Sequence, residues 1–125
     1  MYMIDDKRTF GQIVRAARLN LRRTNPDFSL RKFAVRVGIS PTYLSKAETD
    51  EFQPPRAEKV VRIAEELGID KYVLLSKANH VAPELKTILL KRQSELSELI
   101  LLVSDMPTKQ ISALVEKIRE TKEDS

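Results

Sequence analysis

Cysteine is missing from all 125 residues, so disulfides, thiolate metal sites and cysteine nucleophiles are excluded. Glycine is scarce, at three residues, and aromatics make up only 6% of the chain. Both scarcities suit an all-helical protein better than a sheet protein. No apolar run reaches the 18 residues of a membrane-spanning segment, and the opening MYMIDDKRTF lacks the apolar core of a signal peptide. The expectation is a soluble, cytoplasmic chain. The single histidine, His80, falls in a junction and reads as linker surface rather than as a ligand or base. Glycine-rich phosphate loops, metal-ligand spacings and nucleophile motifs are also lacking. An enzyme reading therefore has nothing to stand on, and neither cofactor nor metal is expected.

What the chain does have is charge, unevenly placed. Residues 1–78 carry 15 Lys and Arg against 10 Asp and Glu; residues 79–125 carry 7 against 8. Between Lys7 and Arg36 the bias sharpens to nine basic residues against Asp27 alone. A basic first half suggests a phosphate backbone as partner, although a run of basic residues is more often a solvated helix face. The apolar fraction of 42% is enough for a core, and the length fits one domain or a small domain with an appendage.

The most informative stretch is SLRKFAVRVGISPTYLSKAET, residues 29–49. Its pattern predicts two short helices joined by a tight turn. Ser29 can cap the first helix, on which Phe33, Ala34 and Val37 share a face. Gly38 stands where a helix ends in the left-handed conformation, which a side chain disfavours. Ile39 can pack beneath the turn. Ser40 followed by Pro41 is a second start signal, after which Leu44 and Ala47 point inward. The opposite face of that second helix then carries Thr42, Ser45, Lys46 and Thr49, with Tyr43 at its flank. Short hydrogen-bonding side chains and one long cation suit base edges and phosphates in a major groove. Ser40 can donate to a phosphate beside the free N–H groups of the helix start. Ser29, Arg31 and Lys32, at the start of the first motif helix, are candidate backbone contacts. A polar solvent face is the plain alternative.

With Ala34, Gly38, Ile39, Ser40, Leu44 and Glu48 in this order, the stretch resembles the helix-turn-helix family of the lambda repressor and Cro, the Xre-like regulators. The flanking FGQIVRAAR and PPRAEKVVRIAEELGI extend the resemblance over roughly residues 10–75. The resemblance implies an all-α fold with a five-helix lambda-repressor-like DNA-binding domain; the surplus apolar surface of the residues that follow it adds a C-terminal helical dimerisation element. The resemblance implies a structural ion pair between Arg18 and Glu48. It also implies a sequence-specific transcriptional regulator, a homodimeric repressor on a palindromic stretch of double-stranded DNA. The chain departs from the family's pattern in three places. Leu30 stands where glutamine is common, Asp50 stands where glycine is common, and the connection around Thr24–Asp27 is longer.

In chain order, Met1–Arg8 reads as a loose arm, and Thr9 can cap a helix over Phe10–Arg22 striped by Phe10, Ile13, Val14, Ala17 and Leu21. Asp50–Pro55 reads as a loop, Arg56–Leu67 as a helix stopped by Gly68, and Asp70 as the cap of a short helix closed by Tyr72, Val73, Leu74 and Leu75. A domain boundary is expected after residue 78, with a dimerisation region over 79–125. Pro83 starts a helix there with Leu85, Ile88 and Leu89 on one side. Ser94 is a candidate cap after a break, followed by Leu96, Leu99, Ile100, Leu102 and Val103. Asp105 and Pro107 signal a further start, with Ile111, Leu114, Val115 and Ile118 forming a stripe before a charged tail over Lys122–Ser125. About 45 residues cannot bury such faces alone. Leu96, Leu99, Ile100, Val103, Ile111, Leu114, Val115 and Ile118 are the candidate dimerisation residues. One competing view is that they merely cap the first unit; another gives them a different partner, an antitoxin's toxin or another protein held by an interaction module that does not read DNA.

Overall fold

The computed structural model describes residues 7–124, which contain helices and no strand. Residues 1–6, most of the expected loose arm, lie outside them. The chain divides into two compact units, 1–83 and 84–125.

The first unit is built from five helices: α1 (Phe10–Arg22), α2 (Leu30–Val37), α3 (Pro41–Glu48), α4 (Ala57–Leu67) and α5 (Lys71–Lys77). Each start and stop has a local chemical cause. Thr9 and Gln12 form a reciprocal capping box on α1. Ser29, Ser40 and Asp70 cap α2, α3 and α5 through side-chain oxygens. Arg56 occupies the cap position of α4 without a side-chain bond, so that helix begins one residue later than expected. Gly38 and Gly68 end α2 and α4 at φ of +79° and +70°, in the left-handed region. At the first of these ends, Gly38 N–H donates to Val35 O and Ile39 N–H to Ala34 O, which satisfies carbonyls the helix leaves open.

The core of this unit is Phe33, Ile13, Leu44, Ile63, Leu74 and Leu75, all essentially inaccessible, with Val14, Val37 and Val60 around them. Burying one such side chain is worth about 1.5–3 kcal/mol relative to leaving it in water. Ala17, Leu21, Ile39 and Val61 are only half-buried at the margin of this core. Tyr72 is not part of the closing face: it is 46% exposed, because Leu74 and Leu75 already fill the side of α5 that faces inward. The unit continues past α5. Ala78 and Ala82 are buried, and His80 Nε2 bonds Pro55 O at 3.0 Å, tying the end of this unit to the loop before α4.

The long connection between α1 and α2 contains a 3₁₀ turn, Pro26–Phe28, capped by Asn25. Arg36 pins it. Its Nη1 donates to Asp27 O at 2.6 Å, its Nε pairs with Glu66 at 3.2 Å, and its guanidinium lies 4.6 Å from the Phe28 ring centre.

The second unit holds α6 (Pro83–Lys91), α7 (Gln93–Val103) and α8 (Thr108–Glu123). Arg92, not the Gln93–Ser94 pair, is where α6 gives way to α7, and Ser94 lies inside α7 rather than at its cap. Pro107 occupies the cap position of α8, with no side-chain cap from Asp105. Lys122 belongs to α8, which runs further than the expected tail allows. No residue of α6, α7 or α8 is buried. Leu101 and Leu102 are 72% and 66% exposed, and Leu90, Ile100 and Ile118 are each half-exposed or more.

Candidate nucleic-acid interface

The candidate site is one face of α3, and its position follows from what the other faces do. Leu44 and Ala47 are buried, which fixes the helix on the core, and the buried Glu48 at its C-terminal end faces α1. There Glu48 Oε2 accepts from Arg18 Nε at 2.7 Å and Oε1 from Arg18 Nη2 at 2.9 Å, a two-bond fork that sets angle as well as distance. Arg18 Nη1 donates to Phe28 O at 3.0 Å, so the same guanidinium holds the entry to α2. Every buried side-chain polar atom among the described residues has a partner.

Gly11 lets α1 pass close beneath this end of α3. A Cβ there would stand 2.8 Å from Glu48 O and 2.7 Å from Asp50 Oδ1. Asp50 sits at φ of +63°, and its Oδ2 accepts from Thr9 Oγ1 at 2.7 Å. The residue at the family's usual glycine position therefore anchors the first helix. A shallow groove beside this junction is lined in part by Arg8, Gln12, Arg15 and Thr49. Arg15 lies off the apolar stripe of α1, and its proximity to Thr49 depends on how α1 crosses α3.

On the outward face, Thr42, Ser45 and Thr49 are exposed and Tyr43 and Lys46 are half-exposed. Ser40 Oγ accepts from Tyr43 N–H at 3.0 Å, which leaves its hydroxyl hydrogen for another acceptor. Since Pro41 has no N–H and that of Tyr43 is capped, the helix start offers fewer free donors than expected. Tyr43 is turned to the following loop: its hydroxyl donates to Gln53 O and its ring lies 5.8 Å from that of Phe52. Burial pushes its phenol above the ordinary range. Lys46 and Thr49 share Glu51, which the motif pattern did not single out. Lys46 Nζ lies 3.2 Å from Oε1, and Thr49 Oγ1 donates to Oε2 at 2.7 Å.

The basic residues between Lys7 and Arg36 are not equivalent. Arg18 is buried against Glu48, so its charge is not available to an outside partner, and Arg36 is half-buried in its pair with Glu66. Lys32 faces Asp27 at 3.7 Å, both exposed. Arg15, Arg22, Arg23 and Arg31 are exposed. Ser29 Oγ caps α2 through Lys32 N–H, beside Arg31.

Among the described residues no helix is long and apolar enough to cross a membrane, and no acidic, histidine or cysteine cluster could hold a metal ion. A family model described as a helix-turn-helix domain matches residues 16–80. No match to a curated protein or to a solved structure was found.

Proposed function

The chain belongs to the helix-turn-helix domain family, and on that premise we propose that this DNA-binding regulator is a sequence-specific, homodimeric repressor. The observation that carries the reading is α3 itself. Its inner face is held by the core and by the Arg18–Glu48 fork, while its outer face presents Thr42, Ser45 and Lys46. Such a helix enters a major groove with these side chains toward base edges, while Ser40, Ser29 and Arg31 meet the phosphates alongside. Repression follows by occupancy, the bound protein blocking polymerase at an overlapping promoter.

One unit of this size covers too little DNA to be both tight and selective. The second unit supports pairing. Its α7 is apolar over residues 99–103, none of its helices buries a residue, and 79–125 is nearly neutral in charge. Covering these faces with a second copy places two α3 helices on one two-fold site, about 34 Å apart along the DNA. The second binding event then becomes intramolecular.

Selection of bound sequences from random DNA tests the whole reading. The expected product is a palindrome with half-sites about one helical turn apart. Enrichment of no sequence would refute it. A stoichiometric protein partner on α7 and α8 in place of a second copy would favour the antitoxin version.

A further inference from the structure

Glu51 is an acidic residue placed against a surface suited to phosphates, and the recognition helix holds it there. Its N–H donates to Lys46 O at 2.9 Å, so its backbone is fastened to α3 rather than left to the loop. Its carboxylate is divided between Lys46 Nζ at 3.2 Å and Thr49 Oγ1 at 2.7 Å. The Thr49 hydroxyl first, and then the Lys46 ammonium, hold the Glu51 carboxyl below the usual carboxylate range. At neutral pH it is therefore an acceptor only. The side chains of Lys46 and Glu51 remain 43% and 56% exposed, and so close a pair in water contributes little to stability. Hydrogen-bonding capacity is left over on both. An ammonium has three donors and Glu51 takes one; the carboxylate keeps unused lone pairs.

Resting on the DNA-binding reading above, we propose that Lys46 and Glu51 act as one unit that reads a single G·C base pair in the major groove. On that edge the guanine O6 acceptor and the cytosine N4 amino donor are hydrogen-bonded to each other, hence about 2.9 Å apart. The ammonium and carboxylate stand 3.2 Å apart with the opposite polarity. Lys46 donates to O6 and to the adjoining N7, and Glu51 accepts from N4. A T·A pair offers an acceptor and a donor at the same two places, but its flanks are wrong. The thymine methyl replaces N7 beside the ammonium, and adenine N7, an acceptor, faces the carboxylate. A C·G pair puts donor against donor. The carboxylate also weakens binding to every other sequence, because it occupies Lys46 and repels phosphate.

The test is selection from random DNA with the wild-type chain, Glu51→Gln and Lys46→Met, followed by affinities for the selected site and its single-position variants. Glu51→Gln keeps an oxygen for Thr49 and replaces the other, with its charge, by an amide donor. The wild type is expected to select G·C at one position of each half-site. Both variants should lose about tenfold of discrimination at that same position and keep it elsewhere. Glu51→Gln should also bind unrelated DNA more tightly, with a salt slope steeper by about one. Undiminished discrimination in both variants, losses at two different positions, or a lost position that is A·T would each overturn the inference while leaving the regulator reading intact. A wild-type chain that selects no sequence would overturn that reading, and the inference with it.

Discussion

Arg18 of α1 and Glu48 of α3, 30 residues apart in sequence, meet in a fork of two hydrogen bonds at 2.7 and 2.9 Å with both side chains about 4% exposed. The third arm of the guanidinium holds Phe28 O, so one buried cation ties together the first helix, the entry to the second and the end of the third.

Removing one partner should therefore be far worse than removing an exposed pair. Arg18→Met or Glu48→Gln is expected to cost about 3–5 kcal/mol, because the remaining polar group stays buried without its match. That is a large part of the 5–15 kcal/mol by which ordinary domains are stable, roughly speaking. Urea melts of the single and double variants measure it. A loss under about 1 kcal/mol in both singles would show that the fork is dispensable.

Gly11 and Gly68 should respond differently to the same added methyl. At Gly11 a Cβ meets the backbone oxygens that end α3, whereas at Gly68 nothing lies within 4 Å. Gly11→Ala should lower stability by about 1–3 kcal/mol and weaken DNA binding by shifting α3. Gly68→Ala should cost only the left-handed backbone penalty, about 1–2 kcal/mol, with affinity unchanged. Equal effects on DNA affinity would contradict the close α1–α3 approach.

Thr42→Ala and Lys46→Ala should leave the fold intact and reduce operator affinity, since neither side chain is buried. Each lost base contact is worth about 1–3 kcal/mol and relaxes preference at one position. Arg31→Ala should instead weaken all sequences alike and flatten the salt slope by about one. Fluorescence anisotropy over a salt series separates the two patterns. Full operator affinity in both Thr42→Ala and Lys46→Ala would mean that α3 does not enter the groove.

The apolar faces of the second unit predict the assembly. The full chain should sediment as a dimer at micromolar concentration, and Ile100→Glu with Leu101→Glu should make it monomeric without unfolding the first unit. A fragment of residues 1–83, which keeps the buried Ala78 and Ala82, should fold as a monomer and lose cooperative operator binding. A monomeric full chain, or a dimeric fragment, would exclude pairing through α7 and α8.

Local chemistry made much of this legible from the residues alone. Caps at Thr9, Ser29, Ser40 and Asp70 and stops at Gly38 and Gly68 act within one turn of chain, so their residue types announce them. The inward positions of Phe33, Ala34, Val37, Leu44 and Ala47 follow from helical periodicity, which is also local. The motif carried the outward face of α3 for the same reason: once Leu44 and Ala47 are inside, Thr42 and Lys46 cannot be. What only the tertiary structure decided is which of the exposed-looking charges are spent. Nothing local distinguishes Arg36, drawn onto Phe28 and Glu66, from Arg31, left in water. Nor does periodicity show that Tyr43 is turned to Gln53, that Asp50 fastens Thr9, or that Glu51 folds back on Lys46 and Thr49. Those pairings depend on distances between elements far apart along the chain or on the path of an irregular loop. Periodicity has no term for either; packing sets both.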